Sequence, residues 1–160
     1  MSMIAYYVSV DDAELEGLLA GSVDAEEFLS RCLESDSRGA DIDKAWAGIH
    51  YLLCGSVWEG TGPLFNAVLG GTPLGEEDFG YGPARYLRKD EAAQVFAALS
   101  GIDFSAFRPK FLSDVQGNTE IYPGYSEEDD FNYLEYNFAH LVGFFKSAAA
   151  SSSNVVLFLS

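Results

Sequence analysis

The chain has 160 residues and a mass of 17.4 kDa, the length of one ordinary domain rather than two. With 48% hydrophobic and 14% aromatic residues and a mean hydropathy of +0.03, it has too much apolar surface to remain unfolded. Nine Lys and Arg against 25 Asp and Glu give a net charge of −16, which repels nucleic acid and anionic membrane surfaces and argues against both as partners.

In chain order, Met3 to Val10 is rich in β-branched and aromatic residues and stops at Asp11-Asp12, so it predicts a strand handing over to a helix. Asp11 with Glu14 three residues on, and Val10 with Leu15, form a capping box and a hydrophobic staple. Val23, Asp24, Glu27 and Phe28 repeat the signature after Gly21-Ser22, which predicts two short helices within residues 11–34. Ile42, Trp46, Ile49 and Leu53 keep helical spacing up to Gly55 and predict a third. Residues 56–83 are rich in Gly and Pro and hold at most one short helix, Leu64 to Leu69; loops of this length often carry function. Ala84 to Leu87 reads as a short strand, and Ala92, Val95, Phe96 and Leu99 as a helix stripe closed by Gly101. Pro109 interrupts the helical spacing of Phe104, Phe107, Phe111 and Val115 and predicts a break. Ser126 is read as the cap of the longest helix, whose stripe is Phe131, Leu134, Phe138, Leu141 and Phe145. Val155 to Leu159 is an apolar run that wants cover on both faces. It is expected to pair with the first strand and to bury Val156 and Phe158 beneath the long helix.

These elements describe a single α+β domain over residues 1–160, with a small sheet of two to three strands from the two ends and the middle and about six helices. No zinc or redox spacing joins Cys32 and Cys54, and both are expected to stay reduced. The N-terminus has no positive start or long apolar run, and no segment is long enough to span a bilayer. A cytoplasmic location is the expectation, without a cofactor or metal.

Gly80-Tyr81-Gly82-Pro83-Ala84-Arg85 begins like a dinucleotide fingerprint but places Arg85 at the third glycine and precedes a strand instead of following one. There is no phosphate-loop lysine, no H-E-x-x-H and no G-x-S-x-G. His50 and Cys54 are four residues apart on one predicted helix, yet a helix C-terminus raises a thiol pKa, which favours a structural Cys54.

Several blocks resemble the bacterial YfbM-like family. They are Met3-Ile4-Ala5-Tyr6, Asp41-Ile42-Asp43-Lys44-Ala45-Trp46 running into Ile49-His50-Tyr51-Leu52-Leu53, Pro63-Leu64, Ala67-Val68-Leu69-Gly70-Gly71, Gly80 to Tyr86, Ile121-Tyr122-Pro123 and the aromatic run from Tyr133 to Phe145. The resemblance covers nearly the whole chain and implies an α+β bacterial protein with no established reaction. Family members usually carry Thr or Ser in place of Cys54 and often Thr in place of Arg88, which costs this chain a good N-cap.

Two functional readings follow, and no enzyme activity is assigned. The leading one is an acidic module that binds a basic protein partner, inhibition of a toxin or nuclease being one concrete form. Its face is built from residues 11–43, where Asp24, Glu26, Glu27 and Asp41 stand among eleven acids opposed only by Arg31 and Arg38. The alternative is a small-ligand binder or enzyme using a pocket of His50, Arg85, Tyr81, Tyr122 and Asp43, in which Arg85 would grip an anion and His50 move a proton. The structural reading of the same residues makes Asp41 a helix cap, Arg85 half of an ion pair and His50 a satisfied core histidine. Arg85, Arg88 and Lys89 either form an electropositive spot or pair with nearby carboxylates.

Overall fold

The computed structural model describes residues 2–35 and 37–160. Strand β1, Ala5–Val10, runs into helix α1, Asp12–Ala20. The capping box at this junction is complete: the Glu14 N–H donates to Asp11 Oδ1 at 2.8 Å and the Asp11 N–H to Glu14 Oε1 at 2.9 Å. Gly21, at φ +73°, takes the left-handed turn that ends the helix. Asp24 caps α2, Ala25–Leu33, by accepting the Glu27 N–H at 3.0 Å.

Strand β2 is only Gly39–Asp41, followed by a tight turn at Asp43–Ala45 and α3, Trp46–Cys54. Then come α4, Gly62–Asn66, β3, Thr72–Asp78, and β4, Pro83–Leu87. Helix α5, Lys89–Ser100, leads to residues 104–115, which take three windings in turn around Pro109, with α6, Arg108–Lys110, in the middle. The expected break at that proline takes this form. Helix α7, Asp130–Ala150, and strand β5, Asn154–Leu159, complete the order.

The sheet has five strands in the order β2-β1-β5-β4-β3, every neighbouring pair antiparallel. The expectation of two to three strands was too few; the expectation of about six helices agrees with the seven α-helices among the described residues. The missed strands, Gly-Ala-Asp and Thr-Pro-Leu-Gly-Glu-Glu-Asp, have no β-propensity or alternation. They are edges, held by the ladder of a stronger neighbour. Helix α7 begins four residues after Ser126: the Asp130 carboxylate accepts the Glu127 N–H at 3.0 Å, and i→i+3 turns over residues 127–132 lead into the helix.

The chain's last strand is the sheet's central one, and all six of its residues are buried. It pairs with β1 as expected, but the faces are reversed. Val155, Leu157 and Leu159 join Tyr7, Phe138, Leu141 and Phe145 in the large core under α3, α5 and α7, while Val156 and Phe158 join Val8, Leu15, Leu18 and Leu29 under α1 and α2. A one-residue change of phase in an apolar run leaves the sequence pattern unchanged and exchanges its faces.

Register is pinned at Asn154, which is buried. Its Oδ1 accepts the Lys89 N–H at 2.9 Å, while its Nδ2 donates to Asp12 Oδ1 at 2.9 Å and to the Val10 carbonyl at 3.4 Å. The cap that Arg88 fails to provide for α5 therefore comes from another strand. Replacing Asn154 with Ala leaves that amide unpaired, and we expect a loss of about 1–3 kcal/mol in urea unfolding with unchanged m. Deleting residues 155–160 removes the sheet's centre, so near-ultraviolet dichroism and cooperative melting should both disappear.

Candidate functional site

The five side chains expected to form one pocket do not converge. His50, on α3, is fully buried; its Nε2 lies 3.1 Å from the Glu59 carbonyl and its ring meets Phe65 edge-on at 5.8 Å. A carbonyl only accepts, so Nε2 carries the proton and Nδ1 is left bare, with no hydrogen-bond partner among the described residues. Arg85 turns inward from β4 and donates to the carbonyls of Gly70 at 2.8 Å and Val68 at 3.3 Å. Among the described residues it pairs with no carboxylate; burial pulls its pKa down, and the guanidinium satisfies carbonyls beyond the end of α4. Tyr122 accepts the Met3 N–H at 2.8 Å and stacks on Trp46. Tyr81 is exposed in the β3–β4 turn. His50 and Arg85 both touch segment 62–70, but neither lines any of the three principal clefts. Cys54 makes no bond to His50, and burial raises its thiol pKa, the opposite of activation. Among the described residues no cluster of three or more His, Cys, Asp or Glu could hold a metal ion.

The acidic face is regrouped by the fold. On the α1 side its charges are matched: Asp12 meets Lys89 at 2.9 Å, Glu16 meets Arg88 at 3.4 Å and Glu14 meets Arg38 at 2.6 Å. The basic cluster around residues 85–89 is thus spent on ion pairs and on Arg85's carbonyls. Asp41 accepts the Asp43 N–H at 3.0 Å and so organises the turn before α3.

On the α2 side the acids have no such partners among the described residues, and β3 adds more. Two clefts of about 400 and 250 Å³ lie between α1–α2 and the β3 edge, sharing Phe79 as a common wall. The larger is floored by Leu29, Leu33 and Phe158 with Glu26 and Asp78 on its rim. In the smaller, Leu18, Val23 and Leu74 form the floor, and Asp24, Glu76 and Glu77 the rim. Five carboxylates and no basic side chain line the pair. Asp78 also fixes the turn by accepting the N–H groups of Gly80 at 2.7 Å and Gly82 at 3.1 Å. Asp24 and Glu26 were candidates from the sequence. Glu76, Glu77, Asp78 and Phe79 were not, because they sit in a Gly- and Pro-rich stretch whose pairing with β4 no local pattern announces.

The profile of a family described as "Domain of unknown function (DUF1877)" matches residues 1–158. Protein YfbM of Escherichia coli (strain K12) is 29% identical over 133 residues, 80% of this chain and 78% of the relative. A crystal structure described as a protein of unknown function, YfbM from Escherichia coli, superposes with a TM-score of 0.73 at 23% identity, covering 98% of this chain and 99% of the other. No described helix is long and apolar enough to cross a membrane.

Burial holds the His50 pKa below its ordinary value of 6.5, against a weaker upward pull from the Glu59 carbonyl. The unfolded chain therefore binds a proton that the native state refuses, so this stability is complete above the unfolded pKa and is lost as pH falls through it towards the lowered native value. The stability difference between wild type and His50→Gln should shrink from about pH 7 to about pH 5. Paired urea titrations across that range check it, and a pH-independent difference rejects it.

Proposed function

The chain belongs to the DUF1877 family of unknown function, and from that premise we propose that it is a protein-binding module. Its partner presents a segment carrying both basic and apolar side chains to the clefts between α2 and β3. The observation that supports this reading is five carboxylates rimming two apolar-floored clefts with no base among the lining residues. On α1 the acids Asp12, Glu14 and Glu16 are neutralised at short range; here the charge is left for an incoming cation. The apolar floors supply the area-dependent part of affinity, and the carboxylates supply steering and choice of partner. Phe79, between the clefts, separates two anchor positions of such a segment. A basic toxin or nuclease held by an acidic inhibitor has the required chemistry, as has any basic regulatory tail.

The test uses a twelve-residue peptide of alternating arginine and leucine, with an alternating glutamate and leucine control. We expect binding of the basic peptide alone. Its association should slow steeply between low salt and about 0.15 M, where the Debye length is about 8 Å, and by about tenfold at low salt in Glu26→Gln/Glu76→Gln/Glu77→Gln. Rates indifferent to salt and to the triple substitution reject the steering role, and equal binding of both peptides rejects the charge preference.

A further inference from the structure

On the other side of the sheet an open trough of about 990 Å³ runs between the edge strand β2 and the outer flank of α7. It reaches from Ser9 and Ser151 at one end to Asp43 and Tyr133 at the other. The stretch of α7 from Tyr133 to Ala150 is about 26 Å long at 1.5 Å per residue, the span of about eight extended residues and more than a small molecule needs.

Three features of this trough are unspent. The first is main chain. Ser9 donates to Arg38, and Ile42 to Ala5, with Tyr7 opposite Ala40, so the alternation of an antiparallel pair turns Gly39 and Asp41 away from β1. The Gly39 N–H is taken by Ser35, whereas the Gly39 carbonyl and both main-chain groups of Asp41 have no partner among the described residues. The second is Asn137, 6% exposed, whose Nδ2 donates to the Tyr133 carbonyl at 3.0 Å. Its Oδ1 accepts nothing among the described residues, yet is not sealed from solvent, so it opens into the trough it lines. The third is charge. Arg38 is held by Glu14 and the Ser9 carbonyl, while among the described residues Asp41 and Asp43 face no basic side chain within ion-pair distance. Asp43 is held rigidly at φ +51°, with the Tyr133 hydroxyl donating to its Oδ2 at 2.6 Å and accepting the Lys44 N–H at 3.1 Å.

We infer that this trough binds an extended peptide of a partner protein as a sixth strand on β2, with a lysine or arginine of that peptide over Asp41 and Asp43. Asp41 exchanges two main-chain hydrogen bonds with one peptide residue, the Gly39 carbonyl takes a third, and Asn137 Oδ1 accepts a donor from the peptide's helix-facing side. Ala139, Gly143 and Ser147, one turn apart on α7, keep the helix flank low enough to admit a backbone. The site is separate from the α2–β3 clefts and does not depend on them.

The probe is a set of eight-residue peptides of alternating threonine and valine with one lysine moved through the positions, titrated into the 15N-labelled full chain. We expect binding for a restricted set of lysine positions, with amide shifts at Gly39 and Asp41, and at least a tenfold loss when alternate peptide nitrogens are methylated. Gly143→Leu fills the trough, and a Cβ at Gly143 meets no atom within 4 Å, so the fold is retained. It should abolish binding, and Asp41→Asn/Asp43→Asn should remove the preference for lysine position. Failure of every peptide at millimolar concentration, indifference to Gly143→Leu or to methylation, or shifts at Gly39 and Asp41 that track self-association instead of added peptide would overturn the inference. Glu26→Gln/Glu76→Gln/Glu77→Gln leaves this binding intact, which separates its failure from that of the function proposed above.

Discussion

The fold hangs on a strand supplied by the chain's last residues. β5 is hydrogen-bonded on both edges and covered on both faces, so each of its side chains has a fixed environment. Asn154 ties its start to α1 and α5, the helices that follow β1 and β4. The two outer strands depend on this centre. β2 and β3 are short of β-formers and are ordered because β1 and β4, themselves aligned by β5, present a ladder to them. Both candidate binding regions lie along these dependent edges.

Polar groups inside the molecule are consumed by a few irregular segments. Segment 62–70 ends in carbonyls that no helix continues to satisfy; Tyr7 donates to Ala67, and Arg85 to Val68 and Gly70. The turn at Asp43–Ala45 is closed by Tyr125 on the Lys44 carbonyl and by Tyr133 on Asp43. Residue types that invite a catalytic reading, His50, Arg85 and Tyr122, are here engaged with main chain. The half-buried Arg85 guanidinium is oriented by carbonyl acceptors, which costs less than leaving those carbonyls and donors unpaired.

Charge follows a different logic. The same acids that look like one field along residues 11–43 divide into a neutralised part on α1 and unneutralised parts on α2 and at Asp41 and Asp43, because α5 and Arg38 bring bases only to the first. β3 then carries three carboxylates to the second. Ion pairs at exposed positions contribute little to stability, so their larger effect is on where the field remains.

Local features were legible in the sequence alone: the caps at Asp11 and Asp24, the apolar stripes of α3, α5 and α7, the pairing of first and last strands, and the α+β class. Each depends on residues within a few positions of one another or on the gross apolarity of a segment. Tertiary structure decided the five-strand sheet, the face taken by Val156 and Phe158, the cap that Asn154 lends to α5, and the meeting of Glu76, Glu77 and Asp78 with α2. These rest on pairings between separate elements that no local pattern in the chain encodes. Edge strands take their order from a neighbour's hydrogen bonds, and a uniformly apolar strand has no polar side to announce its phase, so neither leaves a periodic mark in the chain.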